Sequence, residues 1–358
     1  MGRGGFAVLA AILAIFALAW LWRSSAGGEL SEEAMHKSMQ ESKLAPSPSV
    51  VLYINASKAS PAPPTVPTAS VSAAAREFAT AKGLKPLYDR LAAQGPAAAP
   101  DAKYYLYRIL AGCATRTDQP DGGRLKTVAE QRRRLEALIP EQSRDRAKRL
   151  ALFDEVMVQR CDGMEKVATT QAELEKLLAD AAAGGDPKAR ALIAARELTG
   201  KPMTPTPNGM TGPSLSDAQL RTFQEAVASR DPEAIAIAGS ALSSTYEDVV
   251  PEIGPSHEMM QGRAAYEAWK LVACEFGADC GPSSRSVQIP CMSLGQCAAN
   301  TVQDQVYFYG VTPYEAQLVE QYRQVFRNAA ANNDWSGITY ARRPNTTGMR
   351  FIFGPPVP

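Results

Sequence analysis

The stretch Ala181-Ala-Ala-Gly-Gly-Asp186-Pro187-Lys-Ala189-Arg-Ala-Leu192 predicts the fold of the middle of the chain. Small residues close one helix, Asp186 is a favourable N-cap for the next, and Pro187 suits the first turn of that helix. The alanines that follow allow neighbouring helices to approach closely. We therefore expect two helices joined by a tight turn.

A related stretch recurs further along the chain, as Ala226-Val-Ala-Ser-Arg-Asp231-Pro232-Glu-Ala234-Ile-Ala-Ile237. Its Asp-Pro pair and its alanines occupy the same places as in the first stretch. A recurring helix–turn–helix unit is typical of helical repeat proteins. The same residue types also suit two unrelated helix–turn–helix packings, so the sequence leaves both interpretations open.

Both stretches resemble the Sel-one-like and tetratricopeptide class of helical-hairpin repeats, through the shared part "AAxxGDPxAxxxL" and the Leu198-Thr199-Gly200 end of the first copy. The resemblance covers residues 181–200 and 226–242. It implies an α-solenoid whose concave face binds peptide or protein partners. The layout of the whole chain also resembles that of a group of bacterial envelope proteins, which supplies no activity to carry over.

Helical patterns continue on both sides of these stretches, and they predict an all-α fold. Boundary signals support this, because Ser216 to Gln219 and Thr312 to Glu315 both have the capping-box pattern. The candidate helices fall near residues 72–82, 85–94, 101–116, 124–138, 142–163, 170–183, 187–198, 216–229, 232–243, 256–276, 298–308 and 313–332. We expect an α-solenoid-like helical-hairpin array with a disulfide-stapled helical unit after it.

The N-terminus contains a charge-free apolar run from Phe6 to Trp22. As a helix it spans about 25 Å, the short end of a membrane crossing. We expect residues 1–23 to be a single-pass transmembrane anchor in a bacterial inner membrane, with the body in the periplasm. The alternative is a signal peptide cleaved near Ala26, which releases a periplasmic or secreted protein.

Residues 24–75 are rich in Pro, Ala, Ser and Thr, and they predict a disordered tether. Within it, Val50–Ile54 has strand character, and we expect it to dock on the body against Met349–Phe353. The remaining divisions are a helical repeat-like body over 76–250, a cysteine-rich helical C-terminal unit over 251–340 and an extended tail over 341–358.

The six cysteines all follow the apolar run, and they are Cys113, Cys161, Cys274, Cys280, Cys291 and Cys297. An even set beyond an export signal or anchor favours disulfides. We expect Cys113 to pair with Cys161. The other four allow a local arrangement, 274–280 with 291–297, or a nested one, 274–297 with 280–291. The alternatives are a four-thiolate zinc site, for which five intervening residues are a loose spacing, and a reactive thiol at Cys113 or Cys161.

The sequence shows no catalytic motif. His257-Glu258 is interpreted as the first turn of a helix capped by Ser256, with a general acid or base as the alternative. Basic residues between Arg124 and Arg160 form either a solvated face paired with nearby acids or a surface for anionic lipid or cell-wall polymer. A net charge of +1 gives no reason to expect a nucleic-acid partner.

We therefore predict a non-catalytic envelope scaffold or protein-binding module that binds another envelope protein without a cofactor or metal. Tyr104, Tyr105 and Tyr107 are the candidate contacts for that partner, although at helical spacing some of the three must face the core. One alternative is a cell-envelope enzyme or enzyme regulator that acts on cell-wall material through carboxylates distant in sequence. The other is the secreted protein that cleavage near Ala26 would release.

Overall fold

The computed structural model of the chain describes residues 71–118, 123–200, 205–206, 209–210 and 213–342. These residues are mainly helical, as the sequence predicts. The helices are α1 (Ala73–Thr80), α2 (Lys85–Ala92), α3 (Pro100–Cys113), α4 (Gly123–Leu138), α5 (Arg146–Phe153), α6 (Gln171–Ala183), α7 (Pro187–Thr199), α8 (Asp217–Ala228), α9 (Pro232–Leu242), α10 (Gly262–Glu275), α11 (Arg285–Leu294), α12 (Val302–Gln305) and α13 (Pro313–Asn332).

Short strands, which the all-α prediction does not include, form three small sheets. The strands are β1 (Thr115–Arg116), β2 (Ala168–Thr169), β3 (Pro205–Thr206), β4 (Gly209–Met210), β5 (Val249–Ile253), β6 (Glu258–Met259) and β7 (Ile338–Arg342). β1 pairs with β2 in parallel, β3 with β4 antiparallel, and β5 lies between β6 and β7 with antiparallel pairing on both sides. In β5, buried positions alternate with partly exposed ones, the period of a strand with one face on the core.

The two related stretches form the predicted helix–turn–helix units, α6 with α7 and α8 with α9. Asp186 caps α7 by accepting a hydrogen bond from the Ala189 amide. Asp231 caps α9 by accepting from the amides of Glu233 and Ala234. The capping boxes at Ser216 and Thr312 are also confirmed.

The hydrophobic core divides within α7. One cluster of buried residues runs from Ala74 to Ala189 and contains the buried faces of α1, α2, α3 and α6. A second runs from Ala191 to Ile338 and contains those of α8, α9, α10 and α13. The boundary predicted at residue 250 falls inside this second cluster. Helix α7 therefore contributes Ala189 to the first cluster and Ala191, Ala194 and Leu198 to the second.

All six cysteines are paired. Cys113 bonds Cys161, as expected, and the remaining four follow the local arrangement, Cys274 with Cys280 and Cys291 with Cys297. Sulfurs in these bonds are not available as zinc thiolates or as reactive thiols. The first disulfide joins the end of α3 to the segment before β2, and the other two close short loops at the ends of α10 and α11.

Some of the helix predictions differ from the structure. The helix predicted over 256–276 begins at Gly262, because residues 254–257 make the turn between β5 and β6, with positive φ at Gly254 and His257. The helix predicted over 142–163 is α5, followed by one π turn and one 3₁₀ turn. Helix α11 lies where the sequence predicts no helix. Pro290 lies inside it, and proline usually interrupts a helix.

Lys188 joins the N-termini of three helices. Its Nζ lies 2.9 Å from Asp101 in α3, 3.0 Å from the α7 cap Asp186 and 3.2 Å from the α9 cap Asp231. The residue is 2% exposed. Burial disfavours the charge of Lys188, but the carboxylates of Asp231, Asp186 and Asp101 outweigh it and raise the pKa. Each carboxylate also faces the positive end of a helix dipole, so one cation holds three helix ends together.

In the described ranges, no helix has both the length and the apolar character that a membrane crossing requires. The run Phe6 to Trp22, the tether up to residue 70 and the proposed pairing of Val50–Ile54 with Met349–Phe353 lie outside the described residues.

Replacement of Lys188 tests the importance of this junction. Lys188→Met leaves the buried carboxylate of Asp186 without a counter-charge, so we expect the free energy of unfolding to fall by about 3–5 kcal/mol. The measurement is urea unfolding of the purified full-length chain. Lys176 pairs with Asp180 on the exposed surface of α6, and the control Lys176→Met should cost below about 0.5 kcal/mol.

The pH dependence of the same stability follows from the raised pKa of Lys188. The contribution of Lys188 is fully present below its unfolded-state pKa of about 10.4 and is lost as the pH rises through the higher folded-state pKa. The difference between wild type and Lys188→Met should therefore persist at pH 7–9. Equal losses in the Lys188 and Lys176 variants would contradict the junction.

Removal of the disulfides should destabilise the chain unequally. The partners in Cys113–Cys161 are 48 residues apart, and those in Cys291–Cys297 are 6 apart. In the chain-entropy description, the long loop contributes about 4 kcal/mol and the short one about 2 kcal/mol. Urea unfolding of the Cys113→Ala/Cys161→Ala and Cys291→Ala/Cys297→Ala variants measures the difference, and the reverse order would refute this account.

Candidate binding groove

Tyr104, Tyr105 and Tyr107 are buried, with exposed fractions of 0%, 2% and 3%. Helix α3 packs against α1, α2 and α6, so each face of α3 that carries a tyrosine is covered. The prediction that these side chains form an exposed contact surface is therefore wrong. Spacing along a helix does not reveal how many of its sides are covered by other helices.

The hydroxyls of Tyr104 and Tyr105 instead bind Glu233 in α9. Tyr104 donates to Glu233 Oε1 at 2.9 Å, and Tyr105 donates to Oε2 at 3.0 Å. Arg108 forms an ion pair with the same carboxylate and donates to the Tyr104 hydroxyl. Burial raises the pKa of Tyr104 to about 12, so its hydroxyl remains a hydrogen-bond donor to well above neutral pH. Glu233 is thereby held at the edge of a groove.

The groove lies between α7 and α9 and has a volume of about 470 Å³. Helix α7 contributes mainly aliphatic side chains, among them Leu192, Ala195 and Leu198. Helix α9 contributes Ile237 and Ser240 from the face on which Glu233 lies. The volume is in the range of sites that hold small ligands or the side chains of a partner. The walls are largely apolar, and they offer few hydrogen bonds to a polar ligand.

The close packing of α9 against α10 explains why this face of α9 is open. A Cβ atom on Gly239 would lie 2.5 Å from the Trp269 side chain, so the glycine permits direct contact between the helices. Trp269 also stacks on Phe326 in α13, with ring centroids 4.2 Å apart. Because α9 is fixed by that contact, positions 236 and 240 face away from the core and are exposed.

The structure places the other candidate residues away from this groove. His257 is exposed in the turn between β5 and β6, and its Nδ1 lies 3.1 Å from Glu252 Oε2. This position corrects the prediction of a helix start at His257, since the local turn and strand pairing prevail over the capping pattern. A histidine on an open turn is not enclosed by a cleft in which it would act as a general acid or base.

The basic stretch is largely paired within the chain. Arg132 Nε lies 2.7 Å from Asp154, and Arg146 pairs with Glu136. Arg149 donates to the carbonyls of Met292 and Ser293 and thereby caps the C-terminus of α11. The basic residues of this surface therefore pair with acidic residues of the same stretch, and Arg149 connects the surface to α11.

Sequence patterns did not locate the groove, although they contained partial signals. The alanine-rich character of α7 and α9 indicated close helix approach. Which face of α9 is left uncovered depends on Trp269, which contacts α9 only in the folded chain. Among the described residues, no cluster of three or more His, Cys, Asp or Glu side chains is arranged to hold a metal ion.

Comparison of the chain with known protein families, with curated proteins and with solved structures finds no match in any of the three.

Proposed function

We propose that this chain is a non-catalytic protein-binding module and that the groove between α7 and α9 receives an apolar segment of a partner protein. The observation that carries the proposal is the largely aliphatic lining of a groove of about 470 Å³. A partner helix or extended peptide with an apolar face matches such a surface, because burial of aliphatic side chains drives association.

The arrangement of the helices supports this function. The pairs α6–α7 and α8–α9 are consecutive helix–turn–helix units, and each contributes its second helix to the groove. In our proposal these units are helical-hairpin repeats of the Sel-one-like or tetratricopeptide class, and the groove is part of their binding face. Such repeats commonly present extended surfaces to partner proteins.

The hydrogen bonds of Glu233 favour binding over catalysis at this site. The enzyme alternative requires acids that are free to exchange protons with a substrate. Glu233, the carboxylate that lines the groove, accepts from Tyr104, Tyr105 and Arg108. A carboxylate held in this way fixes α9 against α3, which preserves the shape of the groove.

We further propose that the body lies outside the cytoplasm, anchored by the apolar run Phe6 to Trp22 in a bacterial inner membrane. The three disulfides support this location, since such bonds persist in oxidising compartments. The partner is then another envelope protein. Cleavage near Ala26 would instead release the same body into the periplasm or medium, and the intact mass of the mature chain distinguishes the two forms.

Site-specific crosslinking in cells tests the groove. A photoreactive amino acid at Ser240, which is exposed and lines the groove, should give a discrete adduct whose crosslinked peptide is apolar. The matched control is Ala179, an exposed position in the middle of α6. Adducts of equal yield at both positions, or a highly polar crosslinked peptide, would count against the proposal.

A groove-filling variant gives an independent measurement with the identified partner. Ser240→Trp places an indole in the groove and should weaken partner binding at least tenfold. Because the position is exposed, the free energy of unfolding should change by no more than about 0.5 kcal/mol. The control Ala179→Trp should bind like the wild type, and unchanged affinity of Ser240→Trp would remove the groove from the interaction.

The location is tested by trapping thiols in acid-quenched cells. A body in an oxidising compartment should carry no mass tag before reduction and up to six tags, one for each cysteine, after reduction. Full tagging without a reductant would place the body in the cytoplasm and contradict the proposal.

A further inference from the structure

A group of arginines surrounds Phe78, beside a cavity that shares only Glu233 and Ala236 of α9 with the groove. The guanidinium group of Arg160 lies 4.9 Å from the centre of the Phe78 ring, and that of Arg108 lies 5.5 Å from it. Arg160 is 8% exposed and donates to the backbone carbonyls of Phe78 and Ala81 at the end of α1. Its Nε atom is buried and has no partner among the described residues.

Arg285, at the first position of α11, completes the group. Its side chain forms no hydrogen bond or ion pair with any residue that the structure describes. Its side chain is exposed overall, but burial on the protein side and the charge of Arg108 lower the pKa of its guanidinium. Burial, together with Arg285 and Arg108, likewise lowers the pKa of Arg160 to about 10. The charged neighbours that lower the pKa of Arg160 and Arg285 are therefore other arginines.

Three carboxylates lie in the same region, and all are engaged. Glu155 accepts from the side-chain amide of Gln288 at 3.4 Å. Glu233 accepts from Tyr104, Tyr105 and Arg108. Asp279 accepts from the Gly281 amide at 3.1 Å. The positive charges of Arg160 and Arg285 therefore lack a direct counter-ion within the described part of the chain.

Two cavities adjoin this pair of arginines. One has a volume of about 230 Å³ and the other about 170 Å³, and Arg160 and Arg285 line both. The larger is also lined by Ser284, Ser286, Glu233 and Asp279. Its volume is below the usual range of about 300–1,000 Å³ for drug-sized ligands, which favours a small ligand.

Ser284 adds an unpaired donor to the larger cavity. It is the N-cap residue of α11, a helix of 10 residues, yet its hydroxyl caps no backbone amide. The residue is 4% exposed, and its Oγ has no hydrogen-bond partner among the described residues. A buried hydroxyl without a partner is unfavourable unless a ligand or water satisfies it. The N-terminus of α11 also directs uncapped amides and a positive dipole end outward.

We propose that Arg160, Ser284 and Arg285 form a binding site for a small oxyanion, with phosphate as the best match. Guanidinium groups bind the oxygens of phosphate through parallel, charge-assisted hydrogen bonds. The serine hydroxyl and the helix N-terminus supply further donors at the same end of α11. The phosphate group belongs either to the free ion or to a small phosphomonoester, and both share this chemistry.

Titration of the purified full-length chain with inorganic phosphate tests the site, in a buffer whose other anion is chloride. We expect saturable binding by calorimetry and a phosphate-dependent rise in melting temperature. Higher sodium chloride should weaken the binding, since the interaction is ionic. Glycerol 3-phosphate in a parallel titration distinguishes the sources: tighter binding identifies a phosphomonoester, and weaker binding identifies the free ion. Absence of saturable binding for both compounds would overturn the proposal.

Two variants separate a binding role from a structural one. Arg285→Gln should weaken phosphate binding by about tenfold or more without loss of stability in phosphate-free buffer, because the Arg285 side chain has no hydrogen-bond or ion-pair partner in the part of the chain that the structure describes. Arg133 is an exposed arginine in α4 that has no hydrogen-bond or ion-pair partner among the described residues, and the control Arg133→Gln should bind phosphate as the wild type does.

Ser284→Ala removes the unpaired hydroxyl. We expect it to weaken phosphate binding while leaving the melting temperature of the phosphate-free chain unchanged or higher, since no protein hydrogen bond is lost. Equal phosphate affinity in the wild type, Arg285→Gln and Ser284→Ala would show that the anion binds elsewhere and would refute the site. None of these outcomes depends on the groove between α7 and α9, because Ser284 and Arg285 do not line it.

Discussion

The ion cluster of Lys188 with Asp101, Asp186 and Asp231 is the interaction on which the described structure depends most. A buried ammonium group is unfavourable by itself, and three carboxylates at helix N-termini are stable neighbours for it. The cluster fixes where α3, α7 and α9 begin. Asp101 also accepts from Ser72, the N-cap of α1, at 2.8 Å. Four helices therefore take their relative positions from one small polar junction.

The two related stretches carry opposite charges at one equivalent position, and this difference is used in the fold. Lys188 and Glu233 each follow an Asp-Pro pair. Lys188 lies 5.2 Å from the ring centre of Tyr104, whereas Glu233 accepts from the hydroxyl of the same tyrosine. The ring and the hydroxyl of one side chain thus contact opposite charges. This asymmetry links both hairpins to α3, which two identical copies of the motif would not do.

Helix α9 borders both candidate sites, and its Glu233 and Ala236 line both of them. Its contact with Trp269 through Gly239 fixes the helix, and its opposite face borders the groove that we propose for a partner protein. Near its N-terminus, Pro232 and Glu233 border the cavity that contains Arg160 and Arg285. Arginines elsewhere in the chain cap helix C-termini, as Arg149 does for α11. Arg160 caps the C-terminus of α1 in the same way. Its neighbour Arg285 binds no carbonyl among the described residues, and that difference distinguishes the proposed oxyanion site.

The sequence by itself determined the local structure: the helix–turn–helix units, the caps at Asp186 and Asp231, the capping boxes and an even set of cysteines. These features depend on residues within one or two turns of each other, so propensity and hydrogen-bonding capacity suffice to predict them. Only the tertiary structure decided the pairing of β5 with β7, the local disulfide arrangement, helix α11 around Pro290 and the burial of Tyr104, Tyr105 and Tyr107. The strand pairing and the burial of the tyrosines depend on contacts between distant segments, whose energies exceed local preferences and leave no periodic pattern in the chain. The groove and the arginine site belong to the same class, because the residues that form them come together only when α3, α9 and α11 pack.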